Sequence, residues 1–177
     1  MGAHGEFDQR VIGWVNSIAA NSRSGAQPPG EFVQLGQYLH ELRLFKRRQE
    51  IEVMRQAAAI TGEAHRRIMM MTEPGMHEYQ LEAELEYSFM SSGARSPAYP
   101  TIVGSGGNAC VLHYIKNEDV LRKGDLVLVD AGGEYESYAA DVTRTFPVSG
   151  KFSKAQAELY ALVLEAQFAA IDQVQPG

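Results

Sequence analysis

The run Leu126-Val127-Leu128-Val129-Asp130 limits the fold of this chain more than any other feature of its sequence. Four consecutive aliphatic residues predict a strand that lies inside a sheet. An ionised aspartate at the end of such a strand is costly to bury unless a cation or several hydrogen-bond donors surround it. We therefore expect a sheet that delivers Asp130 to a metal ion or to a set of donors.

The residues around this run have a composition that is typical of β-strands. Three more β-branched or aromatic runs, punctuated by glycine, predict strands that are joined mostly by short turns: Thr101–Val103, Val111–Tyr114 and Tyr138–Phe146. His113 belongs to the second of these runs, so we expect it to lie on a strand.

Apolar residues at helical spacing predict four helices outside the strand region. They cover residues 6–21, 46–71, 78–92 and about 153–174. The second and third are expected to pack together, and the fourth begins with a capping box formed by Ser153 and Gln156. Helices segregated from antiparallel strands define the α+β class.

Two features divide the chain along its length. The stretch from Ser22 to Gly30 concentrates Ser, Gly and Pro, which break helix and strand periodicity, so we expect a domain boundary near it. Pro-Gly pairs at 74–75 and 176–177 each follow a predicted helix, about a hundred residues apart. The last helix thus resembles the start of a second repeat of the helix-and-strand pattern, but no strands follow it. This predicts an incomplete chain whose sheet exposes apolar surface.

Composition excludes several classes of function. The 16 Lys and Arg against 22 Asp and Glu give a net charge of -6, which makes nucleic acid an unsuitable partner. Cys110 is the only cysteine, so disulfides within the chain and thiolate zinc sites are excluded, and its apolar neighbours predict a buried thiol. The sequence has neither a signal-peptide pattern nor a membrane-spanning run. These features predict a soluble, cytoplasmic protein with no membrane partner.

Asp141, in the stretch AADVTRTF, is the second candidate ligand. A Gly-Gly turn and a predicted strand separate it from Asp130, so a hairpin can return both carboxylates to one place. Two converging carboxylates suit hard divalent ions such as manganese. Hydrogen bonds from turn amides are the alternative for each aspartate, and even with His113 added, the spacing alone leaves both interpretations open.

Two long stretches, YPTIVGSGGNACVLHY and NEDVLRKGDLVLVDAGGEYESYAADVTRTFPVSGKFSKAQAELY, resemble bacterial aminopeptidase P, a member of the pita-bread metallopeptidases. LHELRLFKRRQEIEVMRQAAAIT and EPGMHEYQLEAELEYSFMSSGAR extend the resemblance from about Leu39 to the C-terminus. It implies that residues 39–177 form the first half of a pita-bread catalytic domain, with two helices followed by antiparallel strands and a helix. Residues 1–38 resemble the tail of the N-terminal domain and the linker that precede it in the family.

The resemblance also implies the chemistry. In the family, the aspartate matched by Asp130 binds one metal ion and the aspartate matched by Asp141 bridges two, usually manganese, with a nucleophilic hydroxide between them. His113 matches a histidine that is not a ligand and that donates to the scissile amide or to the tetrahedral intermediate. The implied substrate is a peptide with proline in second position, which loses its first residue by hydrolysis.

The sequence departs from the family pattern because three of the five ligands, a histidine and two glutamates from the second half of the domain, have no counterpart here. Two carboxylates alone leave most of an octahedral shell to water, so we expect weak metal binding. Two rival interpretations stay open: a prolidase or methionine aminopeptidase relative, and a non-catalytic fragment or binding module of the same fold. Homo-oligomers and complementation by a second polypeptide that carries the other half are open as well.

Overall fold

The structure is a computed structural model that describes residues 4–176, and the chain forms two compact units that divide between Arg47 and Arg48. The first unit contains helix α1 (Gly5–Ala20), a single 3-10 turn and helix α2 (Leu35–Leu44). Helix α1 confirms the helix predicted over residues 6–21, whereas no helix was predicted where α2 lies. The assignment of residues 1–38 to the remnant of an N-terminal domain stays a prediction.

Two helices form one side of the core in the second unit. Helices α3 (Arg48–Met71) and α4 (Glu78–Ser91) confirm the second and third predicted helices. Their apolar stripes recur at helical spacing and meet in one buried cluster, which includes Ile60, Ala64 and Ile68 from α3 and Leu81, Leu85 and Phe89 from α4. The predicted packing of these two helices is therefore confirmed.

The strands form two small antiparallel sheets. Their bounds are β1 (Ser96–Pro97), β2 (Ile102–Ser105), β3 (Leu126–Ala131), β4 (Gly133–Tyr135), β5 (Tyr138–Ala139) and β6 (Val142–Pro147). The larger sheet has the order β2-β3-β6 and the smaller one the order β1-β4-β5. Helices on an antiparallel scaffold confirm the α+β class.

Strand β3 is the central strand of the larger sheet and it separates the core from the candidate site. Val127, Val129 and Ala131 are fully buried and belong to the helix-facing cluster. Leu128 and Asp130 alternate with them and are only half-buried, because successive side chains of a strand point to opposite faces. The aliphatic residues of β3 thus anchor the strand while Asp130 faces away from the core.

Two of the predicted strands are wrong in detail. The run Val111–Tyr114 contains no strand, because it follows a short 3-10 helix (Gly106–Cys110) and enters an irregular segment in which His113 has a φ of 55°. A positive φ at a residue with a Cβ atom is incompatible with a continuous strand. The run Tyr138–Phe146 is divided into β5 and β6, with Asp141 between them. Cys110 is exposed, which corrects the expected buried thiol.

Helix α5 (Lys154–Asp172) confirms the fourth predicted helix and its capping box, in which Ser153 Oγ accepts from Gln156 N. None of the residues described in α5 is buried. Leu159, Leu162 and Val163 each expose more than half of their surface. Among the residues that the structure describes, no helix combines the length and the hydropathy needed to span a membrane.

Candidate metal centre

The hairpin between β3 and β6 brings the two predicted ligands together. Asp130 is paired with Thr143 in the sheet, and Asp141 directly precedes β6, so both lie at the same end of the hairpin. The hydroxyl oxygen of Tyr99 lies 2.6 Å from Asp130 Oδ1 and 2.9 Å from Asp141 Oδ1. The two carboxylates therefore converge on a single phenol.

Tyr99 has one proton for two acceptors. Burial raises the pKa of Tyr99 far above its ordinary value, and the hydrogen bonds to Asp130 and Asp141 raise this pKa further. The phenol is consequently neutral at physiological pH and donates fully to only one carboxylate at a time. The second carboxylate remains a strong acceptor beside the first, and a cation at this point would relieve the repulsion between them.

An open cleft of about 390 Å³ lies over the two aspartates. Its polar lining residues are Asp130, Asp141, Tyr99 and His113, and its apolar lining residues are Pro100, Ile102 and Ile115. All three residues singled out from the sequence thus lie in one cleft, although His113 reaches it from a loop and not from a strand.

Tyr99 is the residue of this site that sequence reasoning missed. It lies between Pro97 and Pro100, whose rings restrict the backbone on either side of it. A tyrosine held by prolines immediately before the strand that pairs with β3 was the available signal. Its significance depends on where Asp141 returns, which the sequence pattern does not specify.

The donor set agrees in charge and atom type with a hard divalent cation. Carboxylate oxygens are the ligands that manganese and magnesium prefer, and Asp130 and Asp141 offer them at one place. Between residues 4 and 176, however, the His, Cys, Asp and Glu side chains form no group of three or more that could hold a metal ion. These residues therefore fit part of a metal site and would leave the remaining positions to other ligands.

His65 supports the site from behind the sheet. Its Nε2 atom lies 3.1 Å from the carbonyl oxygen of Ala131, the residue after Asp130. Because a carbonyl only accepts, Nε2 carries the proton, and the buried Nδ1 atom has no hydrogen-bond partner among the described residues. Burial lowers the pKa of His65, so the ring is a neutral packing residue.

This fold with its paired aspartates defines part of a pita-bread metallopeptidase domain. The sequence model of metallopeptidase family M24 matches residues 52–177, and the chain belongs to that family. The match includes Asp130, Asp141 and His113 and all of the β2-β3-β6 sheet. The expected first half of a pita-bread domain is therefore confirmed at the level of family and fold.

Bacterial aminopeptidases are among the proteins that resemble this chain. The chain is 47% identical over 178 residues to the Xaa-Pro aminopeptidase of Escherichia coli strain K12. The alignment covers 99% of this chain and 40% of that protein. The structure of Pseudomonas aeruginosa aminopeptidase PepP matches with a TM-score of 0.94 and 51% identity, covering 100% of this chain and 40% of that one.

A zinc-substituted E. coli aminopeptidase P in complex with product matches with a TM-score of 0.93 and 46% identity, again over 100% of this chain and 40% of that one. The chain thus spans about 40% of the length of the relatives that it matches.

Proposed function

We propose that this chain is part of a metal-dependent Xaa-Pro aminopeptidase, which hydrolyses the first peptide bond of peptides that have proline in second position. The observation that carries the proposal is the convergence of Asp130 and Asp141 on Tyr99 in the cleft that His113 also lines. The names of the similar bacterial proteins support the same activity. The substrate is a peptide, and neither nucleic acid nor membrane is a partner.

Asp130 and Asp141 are the residues that would hold divalent metal ions, and manganese is the ion that we propose. When bound, such ions supply Lewis acidity that polarises a carbonyl oxygen and lowers the pKa of water. The zinc-substituted E. coli protein supports a site that admits more than one divalent ion. Tyr99 would hold the two carboxylates in a common orientation.

We assign the peptide to the open cleft. Pro100, Ile102 and Ile115 are apolar lining residues that suit the ring of a proline or an aliphatic side chain. His113 lines the same cleft, where its imidazole N–H can donate to the scissile amide or to the oxyanion that develops during hydrolysis.

The test is hydrolysis of a Xaa-Pro tripeptide in the presence of manganese, by this chain alone and by the protein extended to the full length of its relatives. We expect release of the first residue by the longer protein and a loss of more than about 100-fold in Asp141→Asn. Asp172→Asn on α5 is the matched control and should retain activity. Hydrolysis of Xaa-Pro dipeptides but not tripeptides would instead indicate a prolidase, and release of methionine without a proline requirement would indicate a methionine aminopeptidase.

A non-catalytic binding module is the second candidate for this chain by itself. The observation that favours it is the absence of a third metal-ligating side chain near Asp130 and Asp141 in the part of the chain that the structure describes. Under this alternative, the isolated chain folds and is inactive with manganese. A homo-oligomer and a complementing second half stay proposals, as does a cytoplasmic location, and activity recovered on mixing with a separately expressed second half would support complementation.

A further inference from the structure

We propose that Glu78 is a positioning residue that fixes the loop carrying His113 against helix α4. Glu78 lies in the first turn of α4 and its side chain is fully buried. Among the described residues it takes part in no ion pair within 4 Å, although a buried unpaired carboxylate is expensive. Hydrogen-bond donors must therefore stabilise its charge.

Five hydrogen bonds reach this carboxylate from Ser105, the last residue of β2, and from the segment between β2 and β3. Oε1 accepts from Ser105 N at 2.7 Å, from Ser105 Oγ at 2.9 Å and from Asn108 Nδ2 at 3.1 Å. Oε2 accepts from Tyr114 Oη at 2.8 Å and from Asp119 N at 3.1 Å. One carboxylate thus binds the last residue of β2 and the middle and far parts of the segment that follows it.

The segment needs such an anchor because it has little regular structure of its own. Between Val111 and Asp125 there is neither helix nor strand in the described chain, apart from an isolated bridge between Val120 and His77. His113 and Asn117 both have left-handed backbones, with φ of 55° and 51°. Residues with a Cβ atom keep this conformation only where their surroundings enforce it.

The far part of the segment is held by a second buried side chain. Asn117 Oδ1 accepts from Val103 N at 3.0 Å, and Asn117 Nδ2 donates to Thr101 O at 2.8 Å. Glu78 N also donates to Asp119 O at 3.0 Å, so the backbone and the side chain of Glu78 both bind the same residue. Glu78 and Asn117 together determine the path of the chain on both sides of His113.

Tyr114 links the Glu78 carboxylate to the candidate site. Burial, and then the hydrogen bond to Glu78, raise the pKa of Tyr114 to about 12, so its hydroxyl is a neutral donor. His113 directly precedes Tyr114 and lines the cleft with Asp130 and Asp141. Because the His113 ring makes no hydrogen bond within the described chain, the backbone that Glu78 holds decides where this ring lies. Among the described residues, the Glu78 side chain makes no hydrogen bond to a residue that lines the cleft.

The consequence for catalysis rests on the proposed function, whereas the anchoring of the loop does not. The test therefore uses two readouts that need no activity: amide hydrogen exchange over residues 106–119 and the imidazole NMR resonance of His113. Glu78→Gln retains the volume of the side chain and replaces an acceptor by a donor, so at least one loop donor loses its partner. Glu86→Gln, on the exposed side of α4, is the matched control.

We expect amide exchange over residues 106–119 to accelerate about tenfold or more in Glu78→Gln, as for the loss of one hydrogen bond to a charged group, with β3 unchanged. The His113 resonance should shift or broaden, and Glu86→Gln should resemble the wild type. Unchanged loop exchange and an unchanged His113 resonance in a folded Glu78→Gln chain would overturn the proposal.

Tyr114→Phe decides the question if Glu78→Gln does not fold, because it removes one donor and leaves helix α4 intact. A displaced His113 resonance with faster loop exchange supports the proposal, and wild-type values for both contradict it. A full-length protein without peptidase activity would overturn the proposed function alone, since neither readout depends on hydrolysis.

Discussion

A Cβ atom at Gly132 would lie 1.7 Å from the carbonyl oxygen of Ala140. The backbones of these two residues therefore approach more closely than any side chain permits, directly beside Asp130 and Asp141. This contact explains why the Gly-Gly pair follows β3: the first glycine admits the returning strand. The close approach is the structural basis for bringing the two carboxylates together.

Gly132→Ala should consequently destabilise the chain severely. The added methyl group meets backbone atoms that no rotamer change can move, so we expect a loss of more than about 4 kcal/mol in the free energy of unfolding. Urea denaturation followed by circular dichroism measures this change.

Gly62→Ala provides the matched control for that substitution, because Gly62 lies within α3 and a Cβ atom there has nothing within 4 Å. Alanine is the better helix former, so this variant should gain about 0.5–1 kcal/mol. A Gly132→Ala chain within about 1 kcal/mol of the wild type would contradict the close approach described here.

Removing the hydroxyl group that lies between the two aspartates should lower the free energy of unfolding by less than Gly132→Ala does. Tyr99→Phe retains the ring and deletes the hydroxyl that lies between Asp130 and Asp141. Since hydrogen bonds to charged groups contribute about 1.5–3 kcal/mol when buried and less when half-exposed, we expect a loss of about 1 kcal/mol at neutral pH.

Tyr79→Phe is the control for this deletion, because the Tyr79 ring stacks on His77 and half of the residue is exposed. Equal losses in the two variants, measured by urea denaturation at pH 7, would show that the Tyr99 hydroxyl has no special part in holding the aspartates.

The buried histidine predicts a pH dependence of stability. Burial lowers the pKa of His65 in the folded chain below the value of 6.5 expected in the unfolded chain. As the pH falls below 6.5, the unfolded chain takes up a proton that the folded chain does not, so stability is lost until the pH reaches the lowered pKa. His65→Gln should therefore show a flatter decline of unfolding free energy below pH 6.5.

The slope of this decline is the quantity to compare, because His65→Gln also changes packing and so shifts stability at every pH. His40→Gln serves as a control, since His40 is exposed. Identical slopes for the wild type and His65→Gln between pH 6.5 and pH 5 would refute the assignment of a neutral buried ring.

Much of the fold follows from sequence periodicity. Helices α3 and α4 are present because their apolar stripes, including Ile60 and Leu85, define a buried face, and α1 and α5 follow the same helical spacing although none of their described residues is buried. Strand β3 is present because a short, continuous aliphatic run rich in valine favours a buried strand. Helix α2 was missed although Leu35, Tyr38, Leu39 and Leu42 recur in it at helical spacing, because the helix is only 10 residues long.

The candidate site was less accessible to sequence reasoning. The hairpin pattern indicated that Asp130 and Asp141 could meet, but the close pass at Gly132 and the intervening β4 and β5 are tertiary features. The run at Val111–Tyr114 resembles a strand, yet the side chains of Glu78 and Asn117 determine its conformation from outside the run. Local pattern therefore identifies the candidate residues, and long-range hydrogen bonds decide their arrangement.

If Asp130 and Asp141 are two ligands of one site, manganese binding to this chain depends on both carboxylates. Isothermal titration calorimetry should detect weak saturable binding, with a dissociation constant on the order of 1 mM for so few protein ligands. Binding should disappear in Asp141→Asn and persist in Asp172→Asn, which removes an exposed carboxylate from α5. Manganese binding that is the same in the wild type and Asp141→Asn, or no binding at all, would contradict a metal site at these two aspartates.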